Sequence, residues 1–431
     1  MTVTSRQGAA ATVTLLCWLL IVFDGYDLIV YGTVLPALLE EPGWGMDPGL
    51  AGLIGSMAFV GMLLGALAAG FLTDRLGRRR TILACTVLFS VCTAFCGLAT
   101  GPAMFGTFRL LAGLGLGGLV PAASALGAEF VPARYRPMVA TLMMSGIPIG
   151  GSIAALVGIG VLPVGGWRPM FWIALLALVL VVPVCMARLP ESPAWLRGRG
   201  RTAEAEIIEA RYRVPREPEP GPTARTVTAA GPRELVRGPY LRPTVLFALA
   251  TAATLFTWYG LGTWLPQLMR TAGFELGPAL GFLLALNLGA VAGSVLAAAA
   301  AVRFGAANTA IGSCTLAAGG LLVLLTGPGT VLSYLALVLA GIGTHGTQCL
   351  IIAMVASRYP AAMRGSALGV ALGIGRIGAV AAPQVGGLLL AAGMGVAANF
   401  LIFALAAAAA GAVLLMIRRP VGESRPEGVP A

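Results

Sequence analysis

The sequence of 431 residues contains no lysine and a single histidine, and only 10% of its residues are charged. Without lysine the chain can form neither a Walker-type phosphate loop nor a lysine Schiff base, which argues against ATP-driven pumping and imine chemistry. Soluble domains carry about 25% charged residues, whereas 58% of this chain is hydrophobic. Most of the chain must therefore lie in lipid or be buried among its own helices.

Three other classes of protein are disfavoured. The seven cysteines lie in apolar runs without a C-x-x-C pair, so no zinc site, other metal site or disulfide framework is indicated. No cofactor motif is found. A net charge of +11 does not indicate nucleic-acid binding, because the arginines form short clusters between apolar runs. The first apolar run, 11–39, contains two aspartates and is too long for a cleavable signal peptide.

The apolar runs predict the fold class. A helix needs about 20 apolar residues to cross a bilayer. Twelve segments meet this criterion, at 12–38, 50–73, 81–100, 103–128, 138–162, 169–187, 244–268, 278–302, 306–326, 329–355, 365–390 and 393–417. We therefore expect an all-α membrane protein with twelve transmembrane helices.

The arginines predict how the helices are oriented. An even number of spans places both termini on one side, together with every loop that follows an even-numbered span. That side carries most of the loop arginines, namely Arg6, Arg75, Arg78, Arg79, Arg80, Arg134, Arg136, Arg303, Arg358, Arg364, Arg418 and Arg419. The other side carries Arg168 and Arg270. The positive-inside rule then predicts cytoplasmic termini in the cell inner membrane.

The two halves of the chain resemble each other. Shifts of 228 to 230 residues superimpose three short segments in order: 75–77 on 303–305, 132–136 on 360–364, and 32–36 on 262–266. These matches predict a parallel pseudo-repeat of a six-helix bundle, with the substrate site between the bundles near the bilayer midplane. The expected organisation is an N-terminal bundle (1–188), a cytoplasmic central loop (189–242), and a C-terminal bundle with a cytoplasmic tail (243–431).

The first predicted helix contains a pair of acids, Asp24 and Asp27. A carboxylate at membrane depth is costly, so a role in proton coupling is the default interpretation. Desolvation favours the neutral form of a carboxyl group, which suits a group that takes up and releases a proton. The three-residue spacing puts both acids on one helix face, with Tyr31 one turn further along as a substrate-binding candidate. The alternative is a structural pair with an arginine of another helix, and the sequence does not distinguish the two acids.

The loop after the second predicted helix predicts a conformational gate. Its pattern runs from Gly70 through Asp74, Arg75 and Gly77 to Arg78 and two further arginines. Glycines allow close helix packing and a tight turn. The aspartate can sit at a helix N-terminus or pair with an arginine when this side of the protein closes. Glu129 is a further gate candidate that can pair with Arg75, Arg78 or Arg134.

Two arginines lie at membrane depth, Arg109 and Arg376. Each needs a partner in a low-dielectric environment, either an aspartate of the first helix or an anionic substrate. Guanidinium geometry suits bidentate capture of a carboxylate, so both are substrate-binding candidates. The glycine runs beside them match G-x-G-x-x-G, but neither follows a strand, so helix packing is favoured over a dinucleotide site.

Four further polar or aromatic residues complete the predicted substrate site. His345, the one histidine, shares a helix face with Gln348, and Trp258 and Asn287 are candidates for lining the cavity. For His345, packing in the core is an alternative to substrate or proton handling.

These motifs resemble those of a known family. The 70–80 segment is similar to the signature loop of the major facilitator superfamily, and the resemblance covers nearly the whole chain. Segments 24–27, 190–193, 264–266 and 375–378 resemble those of its aromatic acid:proton symporters, and 23–36 is most similar to the benzoate-transporting members. The resemblance implies the major facilitator fold, and it implies that Asp24, Asp27, Arg109 and Arg376 matter for transport and Asp74 for the conformational switch.

Two departures qualify the resemblance. The second copy of the signature loop, 302–306, lacks the aspartate, so a gate that depends on that charge is in doubt. Segment 147–150 lacks the Gly-Pro pair typical of drug:proton antiporters, which favours symport.

The expected function is import of an aromatic carboxylate, such as benzoate or a hydroxybenzoate, together with protons and by alternating access. The alternatives are a symporter of another organic acid or metabolite, and a drug or metabolite exporter of the same superfamily. An enzyme is not expected. The expected partners are the aromatic acid, protons and the lipid bilayer, with no nucleic acid, and the protein is expected to be monomeric.

Overall fold

The computed structural model describes residues 3–212, 214, 235 and 237–418. Within these residues, twelve helices are long and apolar enough to cross a membrane, which confirms the predicted number. They are α1 (Val3–Leu39), α2 (Pro48–Leu76), α3 (Arg78–Cys96), α4 (Pro102–Glu129), α5 (Arg136–Gly165), α6 (Arg168–Arg188), α7 (Leu241–Thr271), α8 (Leu276–Phe304), α9 (Ala306–Leu324), α10 (Thr330–Arg358), α11 (Ala361–Ala391) and α12 (Gly395–Arg418). Helix α6 is irregular, with a π-helical turn at Ala177–Val181.

Local sequence determines where several helices begin and end. Asp47 caps α2 by accepting a hydrogen bond from the Leu50 backbone N–H at 2.9 Å, and Pro48 occupies the first helical position. Helices α2 and α3 are joined through Gly77 at φ 91°, and α8 and α9 through Gly305 at φ 80°. Glycine adopts this positive φ without steric cost. The same shift of 228 residues that aligns the two sequence halves relates these two glycines.

Helix pairing repeats in the two halves of the chain. In the first half α2 packs on α4, α3 on α4, and α1 on α5. In the second half α8 packs on α10, α9 on α10, and α7 on α11, which are the equivalent pairs six helices later. This repetition confirms two six-helix bundles related by a parallel pseudo-repeat.

Small residues allow the closest helix contacts. A Cβ atom on Gly113 or Gly117 of α4 would overlap a backbone carbonyl oxygen of α2. In the second bundle, a Cβ atom on Gly341 of α10 would overlap the Leu286 carbonyl oxygen of α8. The glycine run of α4 therefore serves helix packing, as predicted, because any larger residue would separate the two helices.

The two bundles meet mainly along three helix pairs, α1 with α7, α2 with α11, and α5 with α8. We call the face that carries the α2–α3 and α8–α9 turns the terminal face, because Val3 and Arg418 also lie there. The contacts between bundles lie towards the opposite face: Gly32 abuts the Gly262 carbonyl, and Glu40 pairs with Arg270 at 2.8 Å. These contacts close the opposite face, and the two glycines are equivalent positions of the repeat.

The central loop begins with two short helices, Pro193–Gly198 and Thr202–Tyr212. They are tied together by two hydrogen bonds from the Arg197 guanidinium to the Glu209 carboxylate, at 2.6 and 2.9 Å. The second short helix also contacts α1. Most of the remaining predicted loop (213, 215–234 and 236) and the tail from 419 lie outside the described residues, so the domain boundaries stay predictions.

Candidate functional site

A cavity of about 110 Å³ lies between the two bundles. Helices α1, α2, α4 and α5 line it from the first bundle, and α7, α10 and α11 from the second. Its wall is mostly apolar and aromatic, and its polar groups come from Asp24, Tyr259, Gln348 and Arg376. A small apolar chamber with a few convergent polar groups is typical of a small-molecule site.

Asp24 is the acid of this cavity. The residue is fully buried, and neither of its carboxylate oxygens has a hydrogen-bond partner. Arg376, on α11 of the other bundle, lines the same cavity and donates one hydrogen bond, from Nη1 to the Met62 carbonyl at 3.2 Å. The cavity therefore holds an unpaired carboxyl group on one bundle and a guanidinium group on the other.

The aromatic wall of the cavity also spans the two bundles. Phe59 of α2 and Tyr259 of α7 have ring centroids 4.5 Å apart and planes inclined by 52°. Both rings line the cavity that contains Asp24 and Arg376. A planar aromatic ligand in this cavity could pack against the two rings while its polar group lies beside the charged side chains.

Asp27 has a different environment, although it lies three residues from Asp24. Its carboxylate forms an ion pair with Arg109 of α4, with Nη1–Oδ2 at 2.9 Å, and accepts a hydrogen bond from the Thr93 hydroxyl at 2.5 Å. Arg109 also donates to the Asp27 carbonyl at 3.1 Å. The two side chains are 0% and 1% exposed, so this is a buried pair inside the first bundle.

Tyr31 lies beside this pair. The Arg109 guanidinium carbon is 5.6 Å from the centroid of the Tyr31 ring, and the Tyr31 hydroxyl donates to the Ala51 carbonyl at 2.6 Å. Neither Arg109 nor Tyr31 is among the residues that line the cavity. Arg109 Nη1 and the Tyr31 hydroxyl have partners within the first bundle, whereas Arg109 Nε has none, and substrate contact by these two residues stays a prediction.

A smaller cavity of about 30 Å³, which we call the side cavity, adjoins the main one. Trp258, His345 and Gln348 line it, as expected for substrate-site candidates, and Gln348 lines both cavities. His345 Nε2 donates to the Met144 carbonyl at 3.2 Å, and the Trp258 and His345 rings lie 5.4 Å apart. The structure therefore brings these three residues together next to Asp24 and Arg376.

The comparisons with known proteins identify the family. The sequence profile of the Major Facilitator Superfamily matches residues 17–383 and 287–431. The chain belongs to the major facilitator superfamily. Its relatives include the gentisate transporter of Corynebacterium glutamicum, 47% identical over 97% of this chain and 90% of that protein. The benzoate transport protein of Acinetobacter baylyi is 36% identical over 92% of this chain and 86% of that protein.

Solved structures agree on the fold. The xylose transporter XylE from E. coli, in a partially occluded inward open conformation, superimposes with a TM-score of 0.78 at 18% identity. The match covers 98% of this chain and all of that one. The protein therefore has the major facilitator fold. The family profile and the transporter relatives show that it is a multi-pass membrane transporter, not an enzyme, and confirm the resemblance to aromatic acid transporters.

The predicted gate of this major facilitator protein lies on the terminal face. Arg78 forms an ion pair with Glu129, one of the three partners considered for that acid. Glu129 also accepts a hydrogen bond from the Ser192 hydroxyl at 2.6 Å. These contacts join the start of α3 to the end of α4 and to the segment after α6.

Glu191, not Asp74, occupies the N-terminus of α3. Its Oε1 accepts hydrogen bonds from the backbone N–H groups of Arg79, at 3.0 Å, and of Ser192, at 2.9 Å. Asp74 is exposed, and its carbonyl accepts from the Trp195 indole at 2.9 Å. The α2–α3 turn also needs its glycine, because a Cβ atom on Gly77 would overlap the Glu191 carboxylate.

One predicted gate residue, Arg75, and one predicted substrate-site residue, Asn287, lie away from these contacts. Arg75 places its guanidinium carbon 4.1 Å from the centroid of the Phe71 ring, on the outside of the turn. Asn287 lies at the contact between α8 and α5, where its side-chain oxygen faces Gly151, and its amide donates to the Leu283 carbonyl at 2.8 Å. It is buried at the interface between the bundles and is not among the residues that line either cavity, so its role in the substrate site stays a prediction.

Sequence reasoning missed three participants: Tyr259 in the cavity, Thr93 on Asp27, and Glu191 on α3. Tyr259 directly follows Trp258, which was a cavity candidate, so the sequence marked its neighbourhood but not the residue, and Thr93 is an ordinary residue of an apolar helix. Glu191 belongs to the 190–193 segment that resembles the aromatic acid symporters, but the sequence of that segment does not predict which backbone N–H groups bond to the carboxylate.

Proposed function

We propose that this transporter imports an aromatic carboxylate together with at least one proton. The observation that carries the proposal is the unpaired, fully buried carboxyl group of Asp24, which shares an aromatic-walled cavity with Arg376. The names of the relatives, a gentisate transporter and a benzoate transport protein, support the choice of substrate class.

The cavity suits an anion with a flat apolar body. Arg376 can receive the carboxylate of the substrate through its guanidinium group, which has donors to spare beyond the hydrogen bond to Met62. The ring of the substrate would then lie along Phe59 and Tyr259. Burial of the ring supplies most of the affinity, and the guanidinium group supplies selectivity for an acid.

Asp24 and the substrate carboxylate compete for the guanidinium group of Arg376, and this competition can couple proton binding to anion binding. When Asp24 is ionised, it and the substrate carboxylate would both require Arg376, and the site would hold an uncompensated negative charge in a low dielectric. When Asp24 is protonated, Arg376 is available to the substrate. The anion therefore binds well only to the protonated transporter, which makes Asp24 the proton-carrying acid and leaves Asp27 to its pair with Arg109.

The membrane potential explains why the anion needs an accompanying proton. Moving one negative charge inwards opposes the potential by about 2.3 kcal/mol per 100 mV. One proton per anion cancels that energy, and the pH gradient then drives accumulation. The bundles, which touch towards the opposite face in this conformation, would rock about the occupied cavity to expose it to the other side.

Charge placement supports a cytoplasmic terminal face. The loop arginines of this face include Arg75, Arg78, Arg79, Arg80, Arg134, Arg136, Arg303, Arg358 and Arg364, whereas Arg168 and Arg270 lie near the opposite face. By the positive-inside rule, both termini lie in the cytoplasm, and the protein lies in the cell inner membrane.

Transport by the purified protein in liposomes tests the substrate class. With an acidic exterior, labelled gentisate, benzoate or 4-hydroxybenzoate is expected to accumulate about tenfold per pH unit if one proton accompanies each anion. Protein-free liposomes measure passive entry of the neutral acid. If none of these acids enters faster than it does in protein-free liposomes, while an acid without an aromatic ring does, the aromatic substrate class is wrong.

A further inference from the structure

The side cavity extends the main cavity away from the charged groups. The two cavities share Met144, Ile147, Leu255, Tyr259 and Gln348 as lining residues. Asp24 and Arg376 line the main cavity and are not part of the side cavity. A volume of about 30 Å³ is too small for a second ring but large enough for a hydroxyl group or a water molecule.

The side cavity contains a buried acceptor that has no hydrogen-bond donor. Gln348 is 5% exposed, and its Oε1 has no hydrogen-bond partner. His345 donates through Nε2 to the Met144 carbonyl, which leaves Nδ1 of the neutral ring as an acceptor. The hydroxyl groups of Thr254 and Thr344 donate to carbonyls of their own helices at 2.8 and 2.7 Å. Trp258 and Tyr259 also line the side cavity and carry an indole N–H and a hydroxyl group, but neither forms a hydrogen bond with Gln348 Oε1, which therefore has no donor in this structure.

We propose that Gln348 is a specificity-determining residue, which selects acids that carry a ring hydroxyl group and binds that hydroxyl in the side cavity. The inference rests on the proposed function and narrows its substrate class from benzoates to hydroxybenzoates. A hydroxyl group both donates and accepts, so it satisfies the side-chain amide of Gln348 in either orientation. Benzoate would leave the buried acceptor unpaired, which costs binding free energy.

The ring position of the hydroxyl group follows from the separation between Arg376, which binds the carboxylate, and the side cavity, which binds the hydroxyl group. Because Arg376 lines the main cavity and not the side cavity, a ligand whose carboxylate is bound to Arg376 would reach the side cavity through the ring carbons remote from that carboxylate. A meta or para hydroxyl group can enter the side cavity, whereas an ortho hydroxyl group stays beside the carboxylate and bonds to it. The preferred substrates are therefore benzoates hydroxylated at the 3, 4 or 5 position of the ring.

Competition against labelled 4-hydroxybenzoate in proteoliposomes tests the selection in the unaltered protein. We expect 3-hydroxybenzoate, 4-hydroxybenzoate or 2,5-dihydroxybenzoate to compete about tenfold better than benzoate, the effect of leaving one buried acceptor unpaired. The 2-hydroxy acid should compete like benzoate. Equal competition by benzoate and by all the hydroxylated acids would overturn the proposal.

The variants Gln348→Leu and Gln348→Met test the residue itself. Both remove the acceptor while keeping the wall apolar, and both are expected to bring the ratio of hydroxybenzoate to benzoate affinity to within about twofold of unity. If one of the two variants does not fold, the other still tests the role of Gln348. Retention of the tenfold preference by either folded variant would overturn the role of Gln348.

Gln384→Leu is the matched control. Gln384 also has an unpaired side-chain oxygen, but it is not among the lining residues of either cavity. This variant should keep the order of preference of the wild type. If the wild type transports no aromatic acid, the proposed function fails; if it transports benzoate and hydroxybenzoates without preference, only the present inference fails.

Discussion

Replacing Asp24 with asparagine is expected to abolish proton-driven accumulation while leaving exchange of labelled for unlabelled acid across the membrane. Asparagine has nearly the shape of the protonated acid but cannot release a proton. The loaded transporter can still change conformation, because Arg376 remains available to the substrate. In proteoliposomes with an imposed pH gradient, the initial rate of uphill uptake above that of protein-free liposomes should fall to near zero.

Asp24→Glu is the control for this experiment, because it keeps a titratable carboxyl group in the same cavity. Uptake by this variant should still depend on the pH gradient. Its affinity for the substrate should change, since the longer side chain enters a chamber of about 110 Å³. If Asp24→Asn accumulates the acid as steeply as the wild type does, Asp24 does not carry the proton. Loss of both accumulation and exchange would instead assign Asp24 to substrate binding.

Breaking the buried pair of Asp27 and Arg109 is expected to destabilise the protein rather than uncouple it. Arg109→Gln leaves the Asp27 carboxylate inside the first bundle with the Thr93 hydroxyl as its remaining side-chain partner. Removing one partner of a buried ion pair costs about 3–5 kcal/mol. Thermal unfolding of the detergent-solubilised protein should therefore occur at a clearly lower temperature for Arg109→Gln and for Asp27→Asn.

The double variant Asp27→Asn/Arg109→Gln provides the decisive comparison. With both charges removed, two neutral amide side chains face each other, and most of the lost stability should return. Asp24→Asn, the same substitution three residues earlier, should change the unfolding temperature little, because its carboxyl group has no hydrogen bond to lose. Single variants that unfold like the wild type would show that the pair does not stabilise the bundle.

Much of the fold could be predicted because it depends on local composition. Apolar length locates the twelve helices, and glycine at Gly77 and Gly305 marks equivalent turns in the two halves. The repeat also predicts which helices pair, since equivalent helices meet equivalent neighbours. Helix ends differ from the predicted segments by several residues, because caps such as Asp47 extend the helices into the polar region.

The assignment of acids to arginines could not be predicted in the same way. Asp24 and Asp27 lie three residues apart and hence about 60° apart around the helix axis. That difference directs one carboxylate into the cavity with Arg376 and the other towards Arg109. The outcome depends on the rotation of α1 against α4 and α11, which is a property of tertiary packing and not of spacing along the chain.

The most direct test measures proton movement during transport by the unaltered protein. A 3- or 4-hydroxybenzoate is added to lightly buffered proteoliposomes, and external pH is followed with a dye while labelled acid uptake is counted. External pH is predicted to rise, beyond the rise in protein-free liposomes, by at least one proton per anion taken up. Uptake of the acid at full rate without that additional rise would contradict proton-coupled transport through the Asp24–Arg376 cavity.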